Sequence, residues 1–261
     1  MDTLTSSPLI SNLPDIAAGI LSCVRQKSPL VHCMTNAVAQ NFTANVLLAM
    51  GAVPSMTVAP EEIAQFVARA DALLINLGTL DRERREAAGI AIEVATDEQR
   101  PWVLDPVFVD RSRQRAEFAK AMMARTPRAV RLNGAEFAAI AQADPAEAAL
   151  DRYALDQLCV VALTGATDAV TDGARKAKIE NGSPLMGRVT AMGCAGTALV
   201  AACLAVETDP WLATTSALLA FAVAGECAAS RARGPGSMAV EILDALASLD
   251  RETLRMHACV R

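Results

Sequence analysis

Residues 190–194, Thr-Ala-Met-Gly-Cys, come directly before a long apolar run that predicts a helix. Free backbone N–H groups at the start of a helix attract anions, and small residues there let a phosphate approach closely. A helix dipole is expected to lower the pKa of a thiol at this position, which makes Cys194 a candidate nucleophile or base. The alternative is that Cys194 is a small buried apolar side chain and that Gly193 only begins the helix.

Carboxylates at two predicted strand ends could hold a metal ion. Asn133 and Glu136 share a face at a junction between strand and helix, where both could hold Mg²⁺ or its waters beside a nucleotide phosphate. Equally, Asn133 could be an N-cap with Glu136 in its capping box. Asp105, followed by Pro106, is expected to be an exposed carboxylate and a further partner for Mg²⁺, or else an ordinary turn residue.

Two further segments could bind small ligands. Thr164 followed by Gly165 offers a hydroxyl and close backbone access to a phosphate, although an ordinary turn has the same composition. Asn36 offers hydrogen-bond donors and acceptors, and Met56 offers a soft apolar wall for a small heterocycle. A turn Asn and a core Met are the alternative for this pair. We expect His32, within a strand, to have a structural role.

Short β-rich runs alternate with longer helical runs along the chain. Strands are predicted at 29–34, 72–77, 102–105, 129–132 and 160–164, with a hairpin of 168–172 and 176–180. Helices are predicted at 41–50, 61–70, 81–95, 113–124, 135–141, 194–206, 211–231 and 239–249. This alternation predicts an α/β protein with a mostly parallel central sheet and helices on both faces. No repeat or linker interrupts it, so we expect a single domain over 1–261.

Ligands of such sheets bind beyond the carboxyl ends of the strands. The polar residues at the predicted strand ends therefore matter most for function. They are Thr35, Asn36, Asn76, Gly78, Thr79, Asp105, Asn133, Glu136, Thr164 and Gly165.

Composition excludes several classes of function. The net charge is −5, aromatic residues are 3% of 261 residues, and no basic run is present, so nucleic-acid binding is not expected. Two histidines are too few for a His-rich metal cluster. Seven scattered cysteines without a CxxC pair predict free thiols in a reducing cytoplasm. No signal peptide is evident, and the run 191–206 is too short for a bilayer, so no membrane association is expected.

Together these segments resemble the hydroxyethylthiazole kinases, ribokinase-like enzymes of thiamine biosynthesis. The similarity covers most of residues 28–250. The matching stretches occur in the family's order, at 29–56, 72–80, 102–107, 131–136, 162–173 and 234–237. The first stretch, PLVHCMTNAVAQNFTANVLLAMGAVPSM, is long and specific. The resemblance implies a three-layer α/β/α fold.

The resemblance also implies an activity and a role for each matching residue. The activity is transfer of the γ-phosphate of ATP to the alcohol of 4-methyl-5-(2-hydroxyethyl)thiazole, in a homotrimer with active sites at the subunit interfaces. Cys194 resembles the catalytic thiol, which would orient the alcohol and accept its proton late. The other residues resemble binding positions: Asn36, Met56 and Ala191 for the thiazole, Arg131, Thr164, Asn133 and Gly193 for ATP, and Asp105 and Glu136 for Mg²⁺.

Departures from the family pattern lie around the predicted phosphate site. Ala191 and Met192 replace small residues of the glycine-rich loop before Cys194, and Phe108 follows the Asp105 strand where the family has small residues. If position 191 requires a positive φ, its methyl group costs on the order of 1 kcal/mol. Two alternatives follow: a thiazole-binding protein with weak or lost catalysis, and a kinase of another small heterocyclic alcohol.

Overall fold

A computed structural model describes residues 8–261. Its strands form one sheet and are β1 Leu30–Met34, β2 Val53–Ser55, β3 Ala72–Asn76, β4 Trp102–Asp105, β5 Ala129–Asn133, β6 Val160–Thr164, β7 Asp168–Thr171 and β8 Lys176–Ile179. The order across the sheet is β2-β1-β3-β4-β5-β6-β7-β8. Pairing is parallel from β2 to β6 and antiparallel from β6 to β8. The predicted mostly parallel sheet and its terminal hairpin are confirmed.

Helices precede β1, connect the parallel strands and follow the last hairpin. Those in residues 8–261 are α1 Pro8–Ser11, α2 Leu13–Lys27, α3 Gln40–Ala49, α4 Ile63–Arg69, α5 Arg82–Asp97, α6 Arg113–Met123, α7 Gly134–Ala141, α8 Glu147–Gln157, α9 Met192–Leu204, α10 Pro210–Arg231, α11 Pro235–Ser248 and α12 Arg251–His257. Short 3₁₀ turns lie at Val109–Arg111 and Met186–Arg188.

The sheet separates two apolar cores, which makes the molecule three layers deep. Consecutive strand residues point to opposite faces, so Cys33 joins one core and Met34 the other. The first core is formed with α2, α3 and α9 to α12, and the second with α4 to α8. The predicted placement of helices on both faces is confirmed.

Helices α9 and α10 lie at the centre of the first core. Nearly every residue of α9 is buried, which is why its sequence lacks a polar face. By length and composition alone α10 could cross a membrane, but 78% of its most apolar window is buried inside the protein. Both apolar runs are therefore packed as core helices.

Five elements are not among those that the sequence pattern predicts: α1, α2, β2, α8 and α12. Strand β2 has only three residues and contains Pro54, which is tolerated because β2 is an edge strand. For α2 the signal was present, since its buried residues Leu13, Ala17, Ile20, Leu21 and Val24 follow helical spacing. Helix α9 begins at Met192, two residues before the predicted start, and α11 begins at Pro235, a residue preorganised for the first helical turn.

His32 and the cysteines have the structural character expected of them. The two ring nitrogens of His32 lie 2.7 Å from Ser55 Oγ and 3.0 Å from the Thr57 carbonyl oxygen. Burial lowers the pKa of His32 to about 4, so the ring is neutral and links β1 to the segment after β2. All seven cysteines are free thiols.

Candidate active site

The carboxyl edge of the sheet brings the predicted polar residues onto adjacent strands. Asn76 and Asp105 are paired in register at the ends of β3 and β4. Asn133 and Thr164 are paired in the same way at the ends of β5 and β6. Helix α9 packs against β1, β3 and β4 and begins at this edge, so its first turn faces these strand ends.

Cys194 is the third residue of α9 and lies against two side-chain amides. Its Sγ is 3.4 Å from Asn36 Nδ2 and 3.3 Å from Asn76 Nδ2. Asn36 itself is held by the Ala39 N–H, which donates to Asn36 Oδ1 at 3.0 Å. Residues separated by as many as 158 positions in sequence therefore meet at one sulfur atom.

Asp105 is buried, so the expectation of an exposed carboxylate is wrong. Its exposed fraction is 1%, because α9 covers the end of β4. Asp105 Oδ2 accepts hydrogen bonds from Asn76 Nδ2 at 2.7 Å and from Thr197 Oγ1 at 3.2 Å. Burial raises the pKa of Asp105, and the charge of Arg131 and these two hydrogen bonds partly oppose the increase.

The expected lowering of the Cys194 pKa by the helix dipole is also wrong. Burial is the main cause that raises the pKa of this thiol to about 12, and the charge of Asp105 raises it further. The amide donors and Arg131 only partly oppose the increase. A helix terminus favours a nearby anion by about 0.3–1 kcal/mol, which is small beside the cost of desolvating a thiolate. Cys194 is therefore a neutral thiol near neutral pH.

Arg131 lies against the first turn of α9, in a space that exists because residue 193 is glycine. A Cβ on Gly193 would lie 2.6 Å from Arg131 Nη1. Arg131 Nε is buried and has no hydrogen-bond partner within residues 8–261. A guanidinium group beside a helix N-terminus attracts oxyanions by charge and by directed N–H groups. This arrangement fits a phosphate group.

Arg131, Thr164 and Gly193 line one pocket of about 550 Å³. Its lining also includes the apolar side chains of Met186, Leu218 and Phe221. The volume lies within the range of about 300–1,000 Å³ that is typical of small-molecule sites. The lining therefore combines the Arg131 guanidinium, which suits an anionic group, with side chains that suit an apolar, flat group.

Asn133 and Glu136 form the capping box that the sequence allowed as an alternative. Glu136 N donates to Asn133 Oδ1 at 3.0 Å, and Asn133 N donates to Glu136 Oε2 at 2.9 Å. The other carboxylate oxygen, Glu136 Oε1, accepts a hydrogen bond from Phe108 N at 3.0 Å. Burial raises the pKa of Glu136, and Asp105 adds to the increase. The two carboxylates are therefore close enough to interact.

Ala191 and Phe108, the departures in sequence, both have left-handed backbone conformations. Ala191 precedes α9 with φ 68°, and Phe108 has φ 61°. Phe108 directs its ring to solvent, with 58% of the residue exposed, whereas Met192 is 7% exposed and lines the pocket. Met192 forms part of the wall and leaves the pocket open.

Met56 lies outside the contacts described above. It follows β2 directly, at the same edge as Asn36, and packs against the first core. No hydrogen bond or pocket contact joins it to Cys194 among the described residues. The structure thus unites Asn36, Asp105 and Cys194 in one cluster and Arg131, Thr164 and Gly193 in one pocket.

Two contacts of this cluster are not predicted from the sequence. Asn76 is expected only as a polar strand end, and Thr197 is not among the candidate residues. Parallel register at the ends of adjacent strands is the signal for Asn76 beside Asp105. Thr197 lies one helical turn after Gly193, which its hydroxyl contacts at 3.1 Å, and this spacing is the only signal for it in the sequence.

Known proteins that are similar to this chain in sequence are named as kinases. Residues 21–252 match the model of the hydroxyethylthiazole kinase family. A probable hydroxyethylthiazole kinase of Agrobacterium fabrum is 44% identical over 243 residues, which cover 93% of each chain. The hydroxyethylthiazole kinase of Rhizobium etli is 46% identical over 255 residues, covering 92% of this chain and 99% of the relative.

Solved structures agree with this assignment of family and fold. The hydroxyethylthiazole kinase of Pyrococcus horikoshii has a TM-score of 0.91 and 38% identity, covering 95% of this chain and 98% of that one. A ribokinase-like superfamily protein from Enterococcus faecalis, at 12% identity with a TM-score of 0.69, shares the fold alone. The predicted ribokinase-like fold is confirmed. On sequence and structure together, the chain belongs to the hydroxyethylthiazole kinase family.

Proposed function

We propose that this chain transfers the γ-phosphate of ATP to the hydroxyl of 4-methyl-5-(2-hydroxyethyl)thiazole. One observation carries the proposal: a cationic, N–H-lined anion cradle at Arg131 and Gly193 opens beside the polar cluster at Cys194. Phosphoryl transfer depends on positioning and on charge stabilisation, and these are the properties that this edge of the sheet combines.

On the alcohol side, we assign Asn36, Met56 and Ala191 to the thiazole and Cys194 to the reacting hydroxyl. Asn36 supplies polar atoms already held in place by Ala39 N. Met56 supplies a polarisable apolar surface at the same sheet edge. Ala191 precedes the first turn of α9, next to the thiol.

On the nucleotide side, we assign Arg131, Thr164, Asn133 and Gly193 to ATP. Arg131 and Gly193 would hold the transferred phosphate at the N-terminus of α9. Thr164 lines the same pocket from the end of β6, and Asn133 ends the adjacent strand. The apolar wall of the pocket suits a nucleobase.

The carboxylates of Asp105 and Glu136 fit a magnesium ion that is held mainly by nucleotide phosphates. Within residues 8–261 no group of three or more His, Cys, Asp or Glu side chains forms a complete metal cage. Mg²⁺ is usually bound by one or two carboxylates with waters and phosphates, which is the donor set available here. When bound, Mg²⁺ would neutralise charge that develops on the phosphates.

We also propose that the chain is one kinase domain and that it acts in the cytoplasm.

We further propose that the chain forms a homotrimer with active sites at the subunit interfaces. Support for the trimer comes from apolar side chains that are exposed on one side of the molecule. Val38 lies just before α3, Leu48 lies on α3 and Val53 lies on edge strand β2, and each is more than 40% exposed. An exposed apolar group beside Asn36 is suited to burial by another subunit.

The decisive experiment measures ADP release with ATP, Mg²⁺ and hydroxyethylthiazole. We expect turnover that requires both the thiazole alcohol and Mg²⁺. Two controls separate the alternatives: calorimetry of thiazole and of ATP binding, and competition by pyridoxal-like and pyrimidine alcohols. Thiazole binding without turnover would indicate a binding protein, and preference for another alcohol would indicate a different kinase.

A further inference from the structure

Asn76 has every hydrogen-bonding atom of its side chain engaged. Its Oδ1 accepts from Gly78 N at 2.9 Å and from Asn36 Nδ2 at 3.2 Å. Its Nδ2 donates to Asp105 Oδ2 at 2.7 Å and to Cys194 Sγ at 3.3 Å. Because a backbone N–H identifies Oδ1 as the acceptor, the amide cannot be reversed without losing these bonds.

A backbone N–H group also fixes the orientation of the Asn36 amide. Ala39 N donates to its Oδ1, so Nδ2 must point the other way, toward Asn76 Oδ1 and Cys194 Sγ. Asn36 and Asn76, which we call the amide pair, therefore both direct an N–H group at one sulfur atom. They are fixed there by main-chain groups and by the buried carboxylate of Asp105.

The amide pair determines what Cys194 can do. A neutral thiol has one S–H donor and two sulfur lone pairs, and two amide nitrogens donate to this sulfur. Two accepted hydrogen bonds use both lone pairs, so none is left to accept a hydrogen bond from a substrate hydroxyl. The S–H group remains, and within residues 8–261 no acceptor within hydrogen-bond distance engages it.

We propose that Asn76 is a positioning residue whose amide, together with Asn36, occupies the acceptor side of Cys194, so that the thiol donates its S–H to the substrate's alcohol oxygen. This inference rests on the proposed function, because it concerns the alcohol that is phosphorylated. This hydrogen bond runs in the opposite direction from the one that the family resemblance implies, in which the sulfur receives the proton of the alcohol.

The reaction balances without a basic sulfur. The alcohol oxygen forms a bond to the γ-phosphorus, the bond from that phosphorus to the bridging oxygen of ADP breaks, and ADP departs with the electron pair. The alcohol's proton passes to an oxygen of the transferred phosphoryl group and then to water. Little deprotonation is needed before attack, because transition states of phosphoryl transfer are commonly loose.

Gly78 provides an independent reason to regard the amide pair as a built arrangement. A Cβ on Gly78 would lie 2.6 Å from Asn36 Cβ and 2.9 Å from Asn36 Nδ2. Gly78 therefore affects both amides. Its N–H group donates to Asn76, and the absence of a side chain leaves the space that Asn36 occupies. A side chain at residue 78 would displace Asn36 from the sulfur.

The direct test is infrared difference spectroscopy of the S–H stretching band on addition of hydroxyethylthiazole. We expect the Cys194 band to move to lower frequency, the mark of a donating S–H group, and to be absent in Cys194→Ala. In Asn76→Ala the shift should be lost while calorimetry still detects thiazole binding. A saturated complex with no band shift would overturn the proposal. Absence of thiazole binding by the unaltered protein would instead overturn the proposed function.

Kinetics provide the second test. Asn76→Ala should lower kcat by about 100-fold, the effect of misplacing a reacting group by about 1 Å, with KM for ATP changed less than about threefold. In the Asn76→Ala background, Cys194→Ala should reduce kcat only slightly further, because the thiol is already misplaced. Fully additive losses would refute a positioning role. Asn12→Ala, at an exposed asparagine outside the site, is the matched control and should leave both constants unchanged.

Where Asn76→Ala fails to fold, Gly78→Ala replaces it. This variant keeps Asn76 and moves Asn36 away from the sulfur, so it should reduce the S–H band shift and kcat together. An unchanged band shift in soluble Gly78→Ala protein would count against the amide pair as the device that orients the thiol.

Discussion

Asp105 shows how a single buried carboxylate links function to instability. Burial raises its pKa, so the ionised form of this carboxyl group lowers the stability of the folded protein at any pH above that raised pKa. Asn76 and Thr197 stabilise one of its oxygens, and Arg131 contributes favourable charge, but burial remains the largest effect. A carboxylate retained in such a place is consistent with a role toward a cation.

We therefore expect Asp105→Asn to stabilise the ligand-free protein while impairing the kinase reaction. The neutral amide avoids the cost of ionisation above the raised pKa, so the melting temperature should rise, by about 2–4 °C for each kcal/mol gained. The gain should shrink as pH falls through the raised pKa and vanish below the ordinary carboxyl pKa, where Asp105 is protonated in both folded and unfolded chains.

Thermal melts of both proteins between pH 4 and pH 8 provide the measurement. A Mg²⁺ titration of activity should shift to higher concentration in Asp105→Asn. Equal melting temperatures at every pH would contradict the assigned cost of ionisation, and an unchanged Mg²⁺ titration would remove Asp105 from the metal side of the site.

Ala191 has a strained conformation, since its φ of 68° places an L side chain in the left-handed region. Ala191→Gly should raise the free energy of unfolding by up to about 1 kcal/mol. Ala121→Gly, at an exposed position within α6, should lower it by about 1 kcal/mol and serves as the control. Denaturant unfolding of the three proteins tests this, and destabilisation by both glycines would show that Ala191 is unstrained.

At the scale of elements, the first turn of α9 is where the proposed anion site depends on packing. Arg131 can lie against this turn only because Gly193 has no side chain. The same helix covers Asp105 through Thr197 and presents Cys194 to the amide pair. One helix terminus thus connects the cradle, the carboxylate and the thiol.

Gly193→Ala should displace Arg131, because the added methyl group would lie 2.6 Å from Nη1. We expect KM for ATP to rise about tenfold, the equivalent of roughly 1.4 kcal/mol of lost phosphate binding. Gly89→Ala, within α5 and with no atom within 4 Å of the new methyl group, should leave KM unchanged and stabilise the fold by about 1 kcal/mol. Unaltered ATP kinetics in Gly193→Ala would separate Arg131 from the nucleotide.

At the scale of the whole molecule, the proposed trimer requires a surface that the isolated chain leaves exposed. Leu48 on α3 is 58% exposed and lies on the same side as Asn36 and edge strand β2. Leu48→Lys should convert trimers to monomers and abolish activity if the sites are interfacial. Leu158→Lys, at an apolar residue that is 81% exposed on the opposite side of the sheet, should change neither property.

Light scattering and activity measured on the same samples test this prediction. A monomeric, fully active Leu48→Lys protein would contradict interfacial active sites. A trimer that survives the substitution would place the interface elsewhere on the molecule.

Most of the strands and helices and the positions of most polar site residues could be predicted from the sequence. These follow from local signals: apolar runs of strand length, helical spacing, and polar residues where a strand stops. The capping box of Asn133 and Glu136 is local in the same sense, since its residues lie three positions apart. Strand β2 and helix α8 carry weaker local signals, and their places depend on packing against the sheet.

Only the tertiary structure decided the chemical state of the site. The burial of Asp105, the raised pKa of Cys194, the orientation of the amide pair and the contact of Gly193 with Arg131 all arise between segments distant in sequence. Asn76 and Cys194 are 118 positions apart, and Thr197 and Asp105 are 92 apart. The sequence determines where a thiol or a carboxylate occurs. Its protonation state depends on desolvation and on the direction of its hydrogen bonds, and both are set by the surroundings in the folded protein.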